Sequence, residues 1–216
     1  MKVYNFSTIF HMLGLLLLFN ATAMYICSVL SAYADDGAMN GLLYSAFITT
    51  GVALVALVIT RNRKREIRKR DGYLTVVLGW LSMVLFGTLP YLLTGVLESY
   101  SDALFETMSG FTATGATIIE DIEVLPKSII LWRSLTHWLG GMGIIVLAVA
   151  ILPLLGIGGV QLFSAEATGL GGDKLHPRIS DTAKRLWYIY VGFTALEAIL
   201  LSLAGMNVFD AVNHSM

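Results

Sequence analysis

Residues 8–30 hold no Asp, Glu, Lys or Arg over 23 consecutive positions. A helix needs about 20 apolar residues to cross a bilayer core roughly 30 Å thick. Similar apolar runs recur at 41–60, 72–97, 128–155 and 186–205. Within hydrocarbon every backbone N–H and C=O must be satisfied internally, which leaves helices and closed barrels. Runs this long and this uniformly apolar read as helices, so the expected class is an all-α membrane protein. Composition agrees: 13% of the 216 residues are charged and 56% are hydrophobic, against about 25% charged in soluble domains.

The charges that remain are segregated. Between the second and third runs lies Arg61-Asn62-Arg63-Lys64-Arg65-Glu66-Ile67-Arg68-Lys69-Arg70, whereas Asp35 and Asp36 occupy the turn between the first and second. A basic stretch can bind nucleic acid or anionic lipid, but directly between two spans it acts as a topology determinant and faces the cytoplasm. Placing it inside puts Lys2 inside, making the N-terminus cytoplasmic, and puts 98–127 outside. Lys174, Arg178, Lys184 and Arg185 then also fall inside. Of 14 basic residues, only Lys127 and Arg133 are left on the outer half, an agreement that the first loop did not impose.

One outer segment does not fit a simple span. Residues 101–108 are too few to cross, and Ser109-Gly110-Phe111-Thr112-Ala113-Thr114-Gly115-Ala116-Thr117 follows, read as a non-helical turn before the fourth run. In a soluble protein these letters would be an ordinary loop. Irregular backbone at membrane depth, however, is tolerated only where protein buries it or water lines it, and a pore is the simplest such place. Gly115 can take dihedrals that aim carbonyls inward, and carbonyl oxygens can replace the hydration shell of a potassium ion. The candidate ion site is Thr112, Ala113, Thr114 and Gly115, with hydroxyls from Thr112, Thr114 and Thr117. Ser101 is the expected N-cap of the short helix, with Asp102 in its first turn offsetting the positive helix end.

Shifting the chain by 108 residues lays Tyr100 to Met108 over Val208 to Met216, with Asp, Ala and Met matched. Transporters are commonly built from such repeats. The second copy stops where its filter should begin, so the expectation is an N-terminal fragment of a longer protein.

Other groups carry two readings each. Asp102 and Glu106 serve either capping and pairing with Arg133, or ion coordination. Glu197 lies within the fifth run, where a carboxylate is by default a functional candidate; the alternative is a carboxyl facing the bundle beside Thr194 or Ser202. Glu120, Asp121 and Glu123 form an acidic outer lip or a solvated loop. Gly140-Gly141-Met142-Gly143 permits close helix packing or a hinge, Pro153 marks a helix end or kink, and the glycines at 156–159 make a turn. Four histidines without ligand spacing, the single Cys27 and the absence of HExxH or Gly-x-Ser-x-Gly speak against metal, disulfide or hydrolase chemistry. No cofactor, no enzyme activity and no nucleic-acid partner is expected.

Asp102-Ala103-Leu104-Phe105-Glu106, Thr112-Ala113-Thr114-Gly115-Ala116-Thr117, Trp132-Arg133-Ser134, the run from Gly140 through Pro153, and Gly205-Met206 to Ser215 together resemble the membrane subunit of bacterial Trk-type potassium uptake systems, in the Trk/Ktr/HKT superfamily. The resemblance implies potassium uptake across the inner membrane, four repeats of helix, pore helix, filter and helix, and often an extra helical pair in front. It divides the chain into a transmembrane pair with its basic cytoplasmic loop (1–70), a first repeat (71–155), a cytoplasmic linker (156–184) and an incomplete second repeat (185–216). It also implies a homodimer bound by cytoplasmic nucleotide-binding regulatory subunits, and one filter glycine per repeat, here Gly115. Where the family commonly has three successive threonines, this chain has Thr112-Ala113-Thr114. A non-conducting scaffold and a sodium-permeable relative are the competing functional readings.

Overall fold

The computed structural model describes residues 5–61, 69–151 and 175–216. Lys2, most of the basic loop (62–68), Pro153, the glycines at 156–159 and Lys174 lie outside the described residues, as does most of the expected linker. All regular structure among the described residues is helical: α1 (Phe6–Ala34), α2 (Met39–Ile59), α3 (Lys69–Gly87), α4 (Leu89–Leu93), α5 (Tyr100–Phe111), α6 (Lys127–Ile151), α7 (Leu175–Leu203) and α8 (Val208–His214). Phe6–Ala34, Met39–Ile59, Asp71–Leu93 and Thr182–Leu203 are long and apolar enough to cross a membrane. The chain is therefore an all-helical, multi-pass membrane protein.

Residues 1–137 and 138–216 form two units. In the first, α1 and α2 pack as an antiparallel pair along small residues. A Cβ on Gly14 would come within 3.0 Å of Leu57 and 3.1 Å of the Ala53 carbonyl on α2, and one on Gly41 within 2.6 Å of the Leu93 carbonyl on α4, so Gly14 sets how closely α1 and α2 approach and Gly41 how closely α2 and α4 do. Met24, Cys27, Leu42 and Ala46 are fully buried in this seam, while Phe19, Ile26, Phe47 and Val55 point outward, as expected where lipid is the solvent. Polar ties cross the seam at His11 with Thr60 (3.0 Å) and Tyr25 with Thr50 (3.3 Å). The buried Asn20 amide donates to the Met83 carbonyl on α3 at 3.3 Å.

The turn between α1 and α2 is organised by its acidic residues. Asp35 ends α1 in the left-handed region (φ 50°) and Gly37 follows at φ 79°. The Asp36 carboxylate accepts from the Ser31 hydroxyl, from Ala38 N–H at 3.2 Å and from Ser128 N–H, at the start of α6, at 2.9 Å. One side chain thus closes the turn just ahead of α2, two positions away, and caps the first turn of α6 from 92 positions away. It also fixes the α1–α2 turn and the beginning of α6 at the same end of the unit.

The third run is not one regular helix. It pauses at Thr88, between α3 and α4, two residues before Pro90, which lacks the N–H that would bond residue 86. Bonds from Thr88 N–H to Val84 and Leu92 N–H to Thr88 carry the direction through. The helix stops at Leu93 and Gly95 turns the chain at φ 75°, so 94–97, expected in the span, belong to a turn. At the far end, α7 begins at Leu175, inside the expected linker, whose last ten residues, 175–184, continue into the spanning helix.

In the second unit, α6 and α7 pack through aromatic groups. Tyr190 donates to the Trp138 carbonyl (3.0 Å), Trp138 donates to Thr194 (3.1 Å) and the two rings stack at 5.6 Å. A Cβ on Gly141 would lie 2.8 Å from the Tyr190 hydroxyl, and α6 runs through this glycine cluster without a break, so here the cluster serves close packing. α7 ends at Leu203, Gly205 turns the chain at φ 101°, and α8 starts from Asn207, whose side chain accepts from Asp210 N–H at 3.0 Å.

Candidate functional site: a loop clipped to a short helix

At about 1.5 Å rise per residue, the 12 residues of α5 extend roughly 18 Å, too short to cross. The helix begins at Tyr100 with Ser99 in the N-cap position, where its side chain makes no cap bond. Ser101, the expected cap, lies inside the first turn, and its hydroxyl pairs with that of Ser99 at 2.8 Å. Asp102 is in the first turn as expected. The helix runs three residues further than expected, through Ser109, Gly110 and Phe111. Gly110 remains helical because α5 presses onto α6 there: a Cβ would lie 2.9 Å from that of Thr136. On the other side Gly87 of α3 leaves the same kind of room for Phe111 and Thr107, 2.8 Å from a Cβ placed on it.

The end of α5 is a Schellman arrangement. Ala113 N–H donates to the Gly110 carbonyl (2.9 Å) and Thr114 N–H to the Ser109 carbonyl (3.0 Å), the two bonds that characterise this cap. Ala113 occupies the left-handed position at φ 52°, usually glycine's, at a cost of about 1 kcal/mol. Gly115 is left-handed again at φ 77°. Residues 112–118 are all exposed, and the Thr112 and Thr114 hydroxyls lie 2.7 Å apart.

Two side chains on one face of α5, at positions 106 and 109, hold the returning limb of the loop. Ser109 donates its hydroxyl to the Ala116 carbonyl at 2.6 Å. Glu106, fully buried, receives the Thr117 hydroxyl, 2.9 and 3.1 Å from its two oxygens, and Ile118 N–H at 3.2 Å. Arg133 of α6 donates Nε–H to the same carboxylate at 2.6 Å. Three donors meet one buried carboxylate, which offsets its loss of water; removing one member of such a pair costs about 3–5 kcal/mol. Thr117, expected to add a lining oxygen, spends its hydroxyl on Glu106 and accepts from Ile119 N–H at 3.1 Å.

Of the residues singled out from the sequence, Thr112, Ala113, Thr114 and Gly115 form one exposed loop, and Glu106 and Arg133 meet behind it. Asp102 stays in the first turn of α5, apart from that pair. Glu197 is exposed on α7 and makes no hydrogen bond or ion pair among the described residues, Thr194 being engaged with Tyr190 and Trp138 instead. Glu120, Asp121 and Glu123 are exposed or nearly so, with Asp121 accepting from Glu123 N–H at 3.0 Å. No His/Cys/Asp/Glu cluster able to hold a metal occurs among the described residues. The sequence reading missed Asp36, Ser109 and the engagement of Thr117. A serine one turn after a buried glutamate, ahead of a threonine-rich loop, was the available signal for the second.

The fold matches the crystal structure of the potassium transporter TrkH from Vibrio parahaemolyticus, with a TM-score of 0.83 and 40% identity over 97% of this chain and 42% of that one. Among curated relatives, the Trk system potassium uptake protein TrkH of Halomonas elongata is 46% identical over 209 residues, 96% of this chain and 43% of that protein. TrkH of Vibrio parahaemolyticus is 43% identical over 98% of this chain and 44% of its own. The Escherichia coli protein TrkG is 34% identical over all of this chain and 45% of its own. The chain thus spans less than half the length of the relatives it matches. The family described as TrkH, cation transport protein, matches residues 41–216, and with these identities the chain belongs to the TrkH family.

Proposed function

We propose that this chain takes part in potassium uptake across the bacterial inner membrane, within a Trk-type transporter, and that α5 and residues 112–115 act as pore helix and filter segment. The observation that carries the reading is the exposed loop at the carbonyl end of a helix too short to span, with Ala113 and Gly115 both left-handed. Such a loop offers backbone oxygens to a cation at the negative end of a helix. The relatives' names, Trk system potassium uptake proteins, supply the ion. One loop provides one side of a coordination cage; equivalent loops complete it. In this reading 71–155 is the first repeat and 185–216 begins the second, with α8 in the place of α5. The N-terminus and the basic loop face the cytoplasm, where nucleotide-binding regulatory subunits dock on a homodimer. Asp102 offsets the positive end of α5. The test is growth of a potassium-uptake-deficient bacterial strain on limiting potassium when supplied with the complete reading frame carrying this chain. Rescue is expected; failure to rescue by protein that reaches the membrane removes the proposal.

A further inference from the structure

The geometry points to the Glu106–Arg133 pair as a specificity-determining strut: by holding Thr117 and Ile118, it fixes the spacing of the carbonyls at 112–115 and so the preference for potassium over sodium. This rests on the filter reading above. The loop has two ends, and both are fastened to α5. The near end is fixed by the Schellman bonds to Ser109 and Gly110, the far end by Ser109 to Ala116 and by Glu106 to Thr117 and Ile118. Between them the chain reverses through Gly115, around which nothing lies within 4 Å of an added Cβ. Among the described residues nothing supports the exposed arc laterally at that point, and within this chain its shape is set by its two anchors. The near anchor packs on α6 at Thr136, whereas the far anchor is tied to the same helix by a charged bond, 2.6 Å from Arg133 to Glu106.

A carboxylate suits this role because all its neighbours are donors: Arg133 Nε–H, Thr117 O–H and Ile118 N–H. A glutamine there would turn an amide NH2 toward at least one of them, leaving donor facing donor. The spacing of coordinating carbonyls bears on which cation is preferred, so loosening the far anchor lets the arc relax around the smaller ion while the near anchor keeps the helix end intact. Thr117 and Glu106 act through the loop carbonyls, and both are positioning residues.

The experiment measures the potassium-to-sodium flux ratio of the complete protein in proteoliposomes, a ratio independent of how much protein folds. Thr117→Val removes the hydroxyl while leaving the Glu106–Arg133 pair in place; Thr117→Ser retains the hydroxyl; Glu106→Gln tests the strut itself; Gly115→Ser is the filter control. The ratio should fall about tenfold in Thr117→Val and Glu106→Gln, the equivalent of one hydrogen bond to a charged group, and return to within about twofold of wild type in Thr117→Ser. If Gly115→Ser lowers the ratio and Thr117→Val leaves it unchanged, the strut is overturned and the filter reading stands. If the wild-type ratio shows no potassium preference, or Gly115→Ser does not alter it, both are overturned.

Discussion

Replacing Asp36 by Ala removes three hydrogen bonds at once, from the Ser31 hydroxyl, Ala38 N–H and Ser128 N–H, which opens the turn ahead of α2 and uncaps α6. Hydrogen bonds to charged groups contribute about 1.5–3 kcal/mol each when well shielded. Asp36 is half-buried, so solvent screens it, and N-cap losses of about 1 kcal/mol apiece are the better guide. The expected loss is about 2–3 kcal/mol, less than a strict sum because the bonds share one carboxylate. Asp36→Asn, which retains one acceptor oxygen, should lose about half of that. The adjacent Asp35→Asn is the control: Asp35 is exposed and already left-handed, a conformation asparagine accepts. The pH dependence follows from the same contacts. Partial burial pushes the Asp36 carboxyl up, but the bonds from Ser31, Ser128 and Ala38 outweigh it and hold the group below the ordinary carboxylate value. A carboxylate depressed in the folded state binds fewer protons there than when unfolded, so its stabilisation is complete above about pH 4 and fades as pH falls through the folded value. Thermal unfolding in detergent, scanned from neutral to acidic pH, measures both. An Asp36→Ala protein as stable as wild type, or an Asp35→Asn protein equally weakened, would refute the trans-capping argument.

Three further outcomes are expected. Gly41→Ala should destabilise by about 1–3 kcal/mol, since its Cβ meets the Leu93 backbone carbonyl at 2.6 Å and backbone cannot swing aside; detergent melting against Gly51→Ala, where nothing lies within 4 Å, checks it. Gly141→Ala should cost less, because the obstructing atom is the end of the Tyr190 side chain, and Tyr190→Phe should remove most of the penalty in the same assay. A cysteine at Glu120 should react with an impermeant thiol reagent in intact cells and one at Asn62 should not, the native Cys27 being buried and silent; labelling at Asn62 from outside inverts the orientation.

The spans were legible because lipid forbids charge, and uncharged runs leave little else to form. Their ends were less so. Ser109-Gly110-Phe111 reads as a breaker sequence, yet the helix continues through it because only glycine lets α5 approach Thr136 so closely, a tertiary demand that overrides local propensity. The third run looks like one helix until Pro90 and Gly95 divide its end. Glu106 and Arg133 could be paired from charge and position alone. The bonds to Thr117 and Ile118 could not, since they depend on where the loop returns after Gly115, and a threonine beside a candidate pore reads naturally as an ion ligand. Asp36 reaching Ser128 spans 92 positions and leaves no periodic trace at all.

The central claim, that the loop around Gly115 selects the ion, is tested most directly by the potassium-to-sodium uptake ratio of Gly115→Ser against wild type in the complete protein. Because an added Cβ at Gly115 meets nothing within 4 Å while the backbone sits at φ 77°, the change acts through backbone strain of about 1–2 kcal/mol and not through a clash. A clear fall in preference for potassium, with the protein still in the membrane, is the predicted result. An unchanged ratio would contradict the account.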